Sequence, residues 1–383
     1  MCVRNPYTHD SRVEKEARTL SGAGYSVTVV CKAAAGLPSV EERDGIRIVR
    51  PARSGLLIPG WRFLRYGRTF ERALIETRPQ ILHAHDSDTL GPVAAAARRL
   101  DVPFVYDAHE LWLGQGRWGL SWPYFAPMYV FFSILERRLI RRSAAQVTVS
   151  PPIARWLERR YHLQHVELLP NYPEAGPESR RDLRTRIDPQ SLPQGAPIIL
   201  YLGGLLEERG LEALVQSIPL LRSSAHLVLL GQGALEVRLR RLAAELGVDQ
   251  RVHLLAPVPP DEVIGWAASA DIGVSPIVPS CLNYRYSLPN KLFQYMAAGL
   301  PVVASDFPQV RDVVVGSDAG LCVDTTDPQQ IASAVDGLLA DRDRRRAMGS
   351  NARRAVEERY NWDVAARTLL DVYRSLGLET AGT

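Results

Sequence analysis

SLPNKLFQYMAAGLPVVASD, residues 287–306, reads as a capped helix running into a buried strand. Asn290 to Ala298 forms the helix, with Pro289 just before it, where a missing N–H costs nothing. Gly299 closes it as a C-cap, and Pro301 keeps it from resuming. PVVAS, short, apolar and β-branched, follows as a parallel strand. Lys291 stands out in the first turn, because all but three of the 46 Lys plus Arg residues are arginines, the others being Lys15 and Lys32. A lysine kept at a helix start, where backbone N–H groups also point outward, suggests an anion site. A leftover surface lysine explains it equally well.

Working outward, 383 residues exceed one ordinary core and suggest two domains. Composition is 46% apolar and 23% charged, with net charge +4. That mild excess suits a phosphorylated substrate, without the dense basic block of a nucleic-acid binder. Cys2, Cys31, Cys281 and Cys322 are scattered, so neither a disulfide frame nor a zinc site is indicated, and a reducing cytoplasm is expected. No secretory signal and no membrane-spanning apolar run is seen. MCVRNP reads as the end of a strand, so a few upstream residues are expected to be missing.

Short apolar strands alternate with helices from the first helix (Val13, Ala17, Leu20) through YSVTVV, a charged turn and IRIV (46–49). A helix at 61–77 and the strands QILHAHD, PFVYDAHE, QVTVS and HVELLPN follow. That is the pattern of a doubly wound parallel sheet. The Pro-, Gly- and charge-rich stretch 173–197 reads as an interdomain linker. The alternation restarts at IILYLGG and ends in two helices. Each sheet is expected to turn its strand C-termini toward a shared crevice.

Chemistry gathers at predicted strand ends. Gly203 and Gly204 let a ligand approach the backbone, with Arg209 at the next helix start. GQG at 231–233 repeats the device. With Lys291 these would form a diphosphate cradle, although tight strand–helix turns also use glycine. In the first half His83, His85 and His109 lie with Asp86, Asp88, Asp107 and Glu110. Four readings stay open there: a metal ligand set, an Asp86-Ser87-Asp88 metal tripeptide, a metal-free catalytic wall, or hydrogen-bonded polar groups closing a sheet edge. The aromatic helix from Ser121 to Ser143, ending ERRLIRR, suits a lipid interface; burial against the sheet explains the same pattern.

HDSRVEKEARTLSGAGYSVTVV, ILHAHD, VYDAHELW, YLGGLLEERGLEALV, SLPNKLFQYMAAGLPVVASD and YNWDVAARTLLDVYRSL together resemble the group-1, family 4-like retaining glycosyltransferases over nearly the whole chain. The resemblance implies an α/β GT-B fold, two Rossmann-like parallel-sheet domains facing a central cleft. It puts an acceptor domain at 1–172, a nucleotide-sugar domain at 198–360, and a helix at 361–383 packing back on the first. It assigns Gly203, Gly204, Arg209, Gly231, Val258, Asn290, Lys291 and Gln294 to the donor, and Asp10, Arg12, Asp86 and Glu110 to the acceptor. His109 matches the histidine that lies against the transferred sugar.

Three positions depart from the family. Tyr286 and Gln294 occupy the places of two glutamates, and Gln294 can still donate and accept at a ribose. Gly204 replaces an arginine, leaving Arg209 and Lys291 as the cations. NPYTHDSR replaces the usual glycine-rich first loop. The expected reaction moves a sugar from a nucleotide-diphosphate sugar to the hydroxyl of a small-molecule, lipid-linked or glycan acceptor. It proceeds with retention, needs no metal or cofactor, and occurs in the cytoplasm, at the inner membrane face if the aromatic helix meets lipid. A nucleotide-sugar epimerase on the same fold and a catalytically impaired binding subunit are the rival readings.

Overall fold

The architecture comes from a computed structural model that describes residues 1–8, 10–52, 61–116, 122–174 and 180–377, with backbone alone at 61–66 and 122–125. The chain separates into two units, Met1–Asn171 with Val364–Thr383, and Tyr172–Asp363.

In the first unit the order is α1 (Ser11–Gly22), β1 (Thr28–Val30), β2 (Val40–Arg43), β3 (Ile46–Val49), α2 (Trp61–Glu76) and β4 (Leu82–His85). Then come α3 (Ser87–Leu100), β5 (Phe104–Ala108), α4 (Trp122–Ile140), β6 (Ala145–Thr148), α5 (Pro151–Tyr161) and β7 (Glu167–Leu168). Strands run β1-β3-β2 and β4-β5-β6-β7. Cys2 bridges Val30 and Ala84 in parallel, joining the two sets. All strand pairings are parallel except β2 with β3.

That hairpin corrects the charged turn expected before Ile46. Asp44 and Gly45 take φ of 51° and 74°, the twist a two-residue hairpin needs. The Asp-Gly pair was the signal, and the polar run VEER masked it. β4 and β5 are buried along their whole length, as in a parallel sheet covered on both faces. Their register sets His85 opposite Asp107 at the strand C-termini.

The second unit runs β8 (Ile198–Leu202), α6 (Leu211–Ser217), β9 (His226–Leu230), α7 (Glu236–Glu245), β10 (Val252–Leu255), α8 (Val263–Ala267) and β11 (Ile272–Ser275). It continues through α9 (Leu282–Tyr286), α10 (Asn290–Ala297), β12 (Val302–Ser305), α11 (Pro308–Val314), β13 (Gly320–Val323), α12 (Pro328–Ala340) and α13 (Arg342–Glu358). The short α9 and α11 escaped the periodicity reading. All strands are parallel in the order β10-β9-β8-β11-β12-β13. The chain therefore starts at β8, winds outward one way, and then reverses between β8 and β11. Ligands bind at such a switch point, beyond the strand C-termini. Along β8 the residues Ile198, Leu200 and Leu202 enter one core, while Ile199 and Tyr201 enter the other.

The stretch 173–197 is not a free linker. Leu183, Ile187, Leu192 and Ala196 are buried in the same core as Ile198 and Met296. The Arg186 guanidinium reaches the Ala256 carbonyl at 2.9 Å, and that of Arg184 bonds the Ala196 carbonyl. Pro, Gly and charge suggested a spacer, but every third to fifth residue is apolar and finds the core. Residues 175–179 lie outside the described set. The last helix, α14 (Trp362–Ser375), joins the first unit from Val364 onward. There the Tyr373 hydroxyl lies 2.9 Å from His83 Nδ1, and its ring meets Tyr25 edge-on at 5.6 Å.

Candidate functional site

In the second unit the site is built where β8 and β11 part. Their pairing stops at Gly273 with Leu200, which leaves two backbone groups without a strand partner. Tyr295 supplies one, accepting from the Leu202 N–H at 2.8 Å and donating to the Val274 carbonyl at 3.1 Å. A Cβ on Gly273 would meet the Tyr295 ring at 2.3 Å. Tyr295 thus pins α10 across the switch point, and the sequence reading missed it. The unexplained glycine inside a strand was the available clue.

Helix α10 holds Lys291 in its first turn, next to Gly203. Gly203 has φ 117°, a conformation that excludes other residues, and a Cβ there would stand 3.5 Å from Lys291 Nζ. Lys291 Nζ lies 3.7 Å from the centroid of the Tyr201 ring, while the Tyr201 hydroxyl donates to the Gly204 carbonyl at 2.9 Å. Arg209 is carried by the same loop, which is docked by a 3.0 Å bond from the Val278 N–H to the Glu208 carbonyl. Its guanidinium carbon lies 5.0 Å from the Tyr284 ring centroid. Burial, then the nearby Arg209 charge, holds the Lys291 ammonium well below the usual lysine range. Among the described residues neither cation has a carboxylate partner. Two aromatic faces carry them instead.

Gln294 is half-buried one turn along α10, Asn290 is exposed, and Val258 packs partly buried against the core. The N-terminus of α10 has no side-chain cap at Pro289. Gly231 does other work than expected. It is buried, and a Cβ there would lie 1.9 Å from the Gly203 carbonyl oxygen. It makes room for the neighbouring turn.

In the first unit the β4 and β5 ends converge on Asp107. Its carboxylate accepts from Arg12 Nη2 at 2.7 Å and Nε at 3.1 Å, and from His109 Nε2 at 3.1 Å. His85 Nδ1 stands 3.4 Å away. Burial would raise the Asp107 pKa, but the Arg12 and His109 charges overcome it and hold the carboxylate ionised. His83 stacks on His85 with centroids 4.4 Å apart, and burial depresses both.

His109 is gripped on both sides. Nδ1 lies 3.2 Å from Asp86 Oδ2, opposite the Asp107 contact at Nε2. A carboxylate at each nitrogen favours protons on both. Burial alone would lower the His109 pKa, yet Asp86 and Asp107 outweigh it and lift it to about 9. Burial pushes Asp86 up to about 7, against the pull of His109. The balance favours the imidazolium at neutral pH.

Two acceptor expectations are corrected. Arg12 is only 4% exposed and spent on Asp107, on Glu16 at 3.0 Å and on the Leu169 carbonyl at 2.6 Å. Asp10 caps α1, accepting from the Val13 N–H at 3.1 Å and from Asn5 at 2.6 Å. Asp86 serves His109, and Glu110 is half-buried beside it in sequence. Asp88 pairs with Arg4 at 3.5 Å, so Asp86 and Asp88 of the tripeptide face different partners. Glu16, His85, Asp107 and His109 offer ligand atoms within 4.8 Å of one another. The Arg12 guanidinium already sits on two of them and His109 is charged, so a divalent ion would have to displace existing cations. A cleft of about 830 Å³ lined by Arg141, Gln146, His162, His165, Glu167 and Asp371 opens elsewhere, beside the start of β6, and contains none of these residues.

Residues 11–172 match the family model described as Glycosyltransferase Family 4, and residues 196–341 the model for Glycosyl transferases group 1. A D-inositol 3-phosphate glycosyltransferase of Xylanimonas cellulosilytica is 31% identical over 293 residues, 73% of this chain and 67% of that protein. A GDP-mannose-dependent alpha-(1-6)-phosphatidylinositol monomannoside mannosyltransferase of Mycobacterium tuberculosis is 32% identical over 182 residues, which is 46% of this chain and 47% of that relative, about half its length. Sucrose-phosphate synthase from Thermosynechococcus elongatus shares the fold with TM-score 0.78 at 20% identity, over 95% of this chain and 92% of that one. Anabaena HepE in complex with UDP does so with TM-score 0.70 at 13% identity, over 98% of each chain. The two parallel-sheet units are those of a GT-B fold, and the chain belongs to the group 1, family 4 glycosyltransferases.

Proposed function

We propose that this glycosyltransferase moves a sugar from a nucleoside-diphosphate sugar to an acceptor hydroxyl, with retention at the anomeric carbon and without a metal ion. The observation that carries the reading is the pair Arg209 and Lys291 beside Gly203, two cations without a carboxylate at a topological switch point. A diphosphate is the anion such a pair fits, since it supplies the charge both side chains lack. The mannosyltransferase relative is named for a GDP-sugar and the Anabaena structure contains UDP, both donors or products of this class.

In the proposed step the bond from the anomeric carbon to the β-phosphate oxygen breaks and its electron pair stays on phosphate. The acceptor oxygen bonds to that carbon from the same face, and its proton passes to the leaving phosphate oxygen. Arg209, Lys291 and the α10 N-terminus stabilise the charge that develops. Gln294, one turn beyond Lys291, would hold the ribose. His109 lies between the Asp86 and Asp107 carboxylates, whose charges favour its protonated form; its part is to orient and to offset charge. The metal-free reading draws on the same donor set, whose carboxylates are already neutralised by Arg12 and His109.

Isothermal titration with UDP and GDP in the presence of EDTA tests the cradle, followed by the anomeric configuration of the product by NMR. Micromolar binding that disappears in Lys291→Ala is expected. Nucleotide binding that requires added Mg²⁺, or an inverted product, would overturn the corresponding part.

A further inference from the structure

The inner face of α4 is locked to the first unit. Glu136 is buried there, accepting from Ser87 at 2.9 Å, Tyr106 at 3.1 Å and Tyr161 at 2.5 Å. Phe132 meets Trp112 edge-on at 4.9 Å. The outer face has the opposite character. Met128, Val130, Phe131 and Ile134 are 37%, 54%, 57% and 50% exposed. They make up four of the eleven exposed large hydrophobics among the described residues, all within two turns. Pro127, Phe131, Ile134, Arg138 and Arg141 follow helical spacing down one stripe. The last turn exposes Arg137 and Arg138, and Arg141 and Arg142 are exposed just beyond the helix end. None of these four arginines has an ion partner among the described residues, and the one acid between 126 and 142 is the inward Glu136.

We infer that this face of α4 docks on an anionic lipid surface, its apolar half entering the interface and its arginines pairing with headgroup phosphates. Burial against the sheet, the competing explanation for the aromatic helix, holds for Phe132 and Glu136 but fails for Met128, Val130, Phe131 and Ile134. Apolar side chains beside unpaired arginines and without an exposed acid complement a negatively charged interface. A second copy would offer these arginines no exposed acid from the same face. No described helix is long and apolar enough to cross a membrane, so the contact is peripheral. The side chains of residues 122–125, part of the same aromatic run, lie outside the described set.

Flotation of the full chain with phosphatidylglycerol–phosphatidylcholine vesicles, compared with pure phosphatidylcholine, tests the assignment. Binding to the anionic vesicles alone, weakening with added salt, is expected. Arg138→Gln with Arg141→Gln should weaken it roughly thirty-fold, and Phe131→Ser with Ile134→Ser roughly ten-fold or more. Both pairs are exposed, so thermal unfolding and UDP binding should match the parent, which separates this test from that of the donor site. No binding to anionic vesicles, equal binding to neutral ones, or full binding by either double variant would overturn the inference. A dimer in sedimentation velocity that Phe131→Ser abolishes, without vesicle binding, would overturn it in favour of self-association.

Discussion

Asp86 holds His109 twice: one carboxylate oxygen accepts the His109 backbone N–H at 2.9 Å, and the other lies 3.2 Å from Nδ1 of the ring. It does so from a backbone at φ 64°, ψ 166°, a region that residues other than glycine enter at a cost of about 1–3 kcal/mol. Strain kept at such a point marks a residue placed for its side chain. Asp86→Asn keeps an acceptor for the backbone N–H but removes the charge. Its His109 should titrate well below the parent value by NMR, with sugar transfer reduced about ten- to hundred-fold. Asp86→Gly should unfold at a higher temperature than Asp86→Ala, because only glycine removes the backbone strain. The reverse order would remove the strain argument.

The doubly ionised Asp86–His109 pair exists between the two titrations, from about 7 to about 9. Activity against pH should therefore follow a bell over that window, and Asp86→Asn should lose the acidic limb. His109 also links to stability. Its folded pKa lies above the ordinary 6.5, so its contribution is complete below 6.5 and is lost as pH rises through about 9. Melting temperature should fall across that interval in the parent and less in His109→Gln. Equal slopes would show that the imidazolium is not stabilised by its neighbours.

Lys291 is a cation held low by burial, without a carboxylate to offset it. Lys291→Met should leave the melting temperature of the ligand-free protein equal or higher, yet weaken UDP or GDP binding about ten- to hundred-fold, as for a lost charged hydrogen bond. Arg209→Ala should weaken binding comparably. A large loss of stability in Lys291→Met would make the lysine structural.

Gly231 and Gly203 face each other so closely that a Cβ on the first would meet the carbonyl oxygen of the second at 1.9 Å. Gly231→Ala must push the β8 turn away, at a cost of about 3 kcal/mol in chemical denaturation. Because that turn borders Lys291, nucleotide affinity should fall together with stability. An unchanged denaturation midpoint would contradict the packing.

Leu183 is fully buried in the core of the second unit, although it lies in the stretch that reads as a spacer. Leu183→Ala should cost about 2–5 kcal/mol, measured by urea unfolding. A surface-like effect under about 0.5 kcal/mol would restore the linker reading.

Much of the fold was legible because its signals are local. A Pro–helix–Gly–Pro punctuation around residues 287–306, apolar β-branched runs and glycine turns after strands each report on a few neighbouring residues. Elements whose signals are weak locally were lost: β2, polar on both faces, and the short helices α9 and α11. Lys291 and Arg209, the cations proposed for the donor, could be named in advance for the same reason, each lying beside its own strand–helix turn. The order β10-β9-β8-β11-β12-β13 then brings those turns to one switch point.

Which polar residues remain free for a ligand is a different kind of question. Arg12 is bonded to Asp107, 95 positions away, and to Leu169, 157 positions away; only the β4–β5 register and the docking of α1 create those bonds. The family resemblance made Arg12 an acceptor contact, the glycine pattern made Gly231 a ligand turn, and the Asp86-Ser87-Asp88 tripeptide offered a possible metal site. Packing turned the first into a buried counter-ion and the second into room for a carbonyl, and it sent the two aspartates to different partners. Charge compensation depends on distances between residues remote along the chain, and only the folded arrangement specifies them.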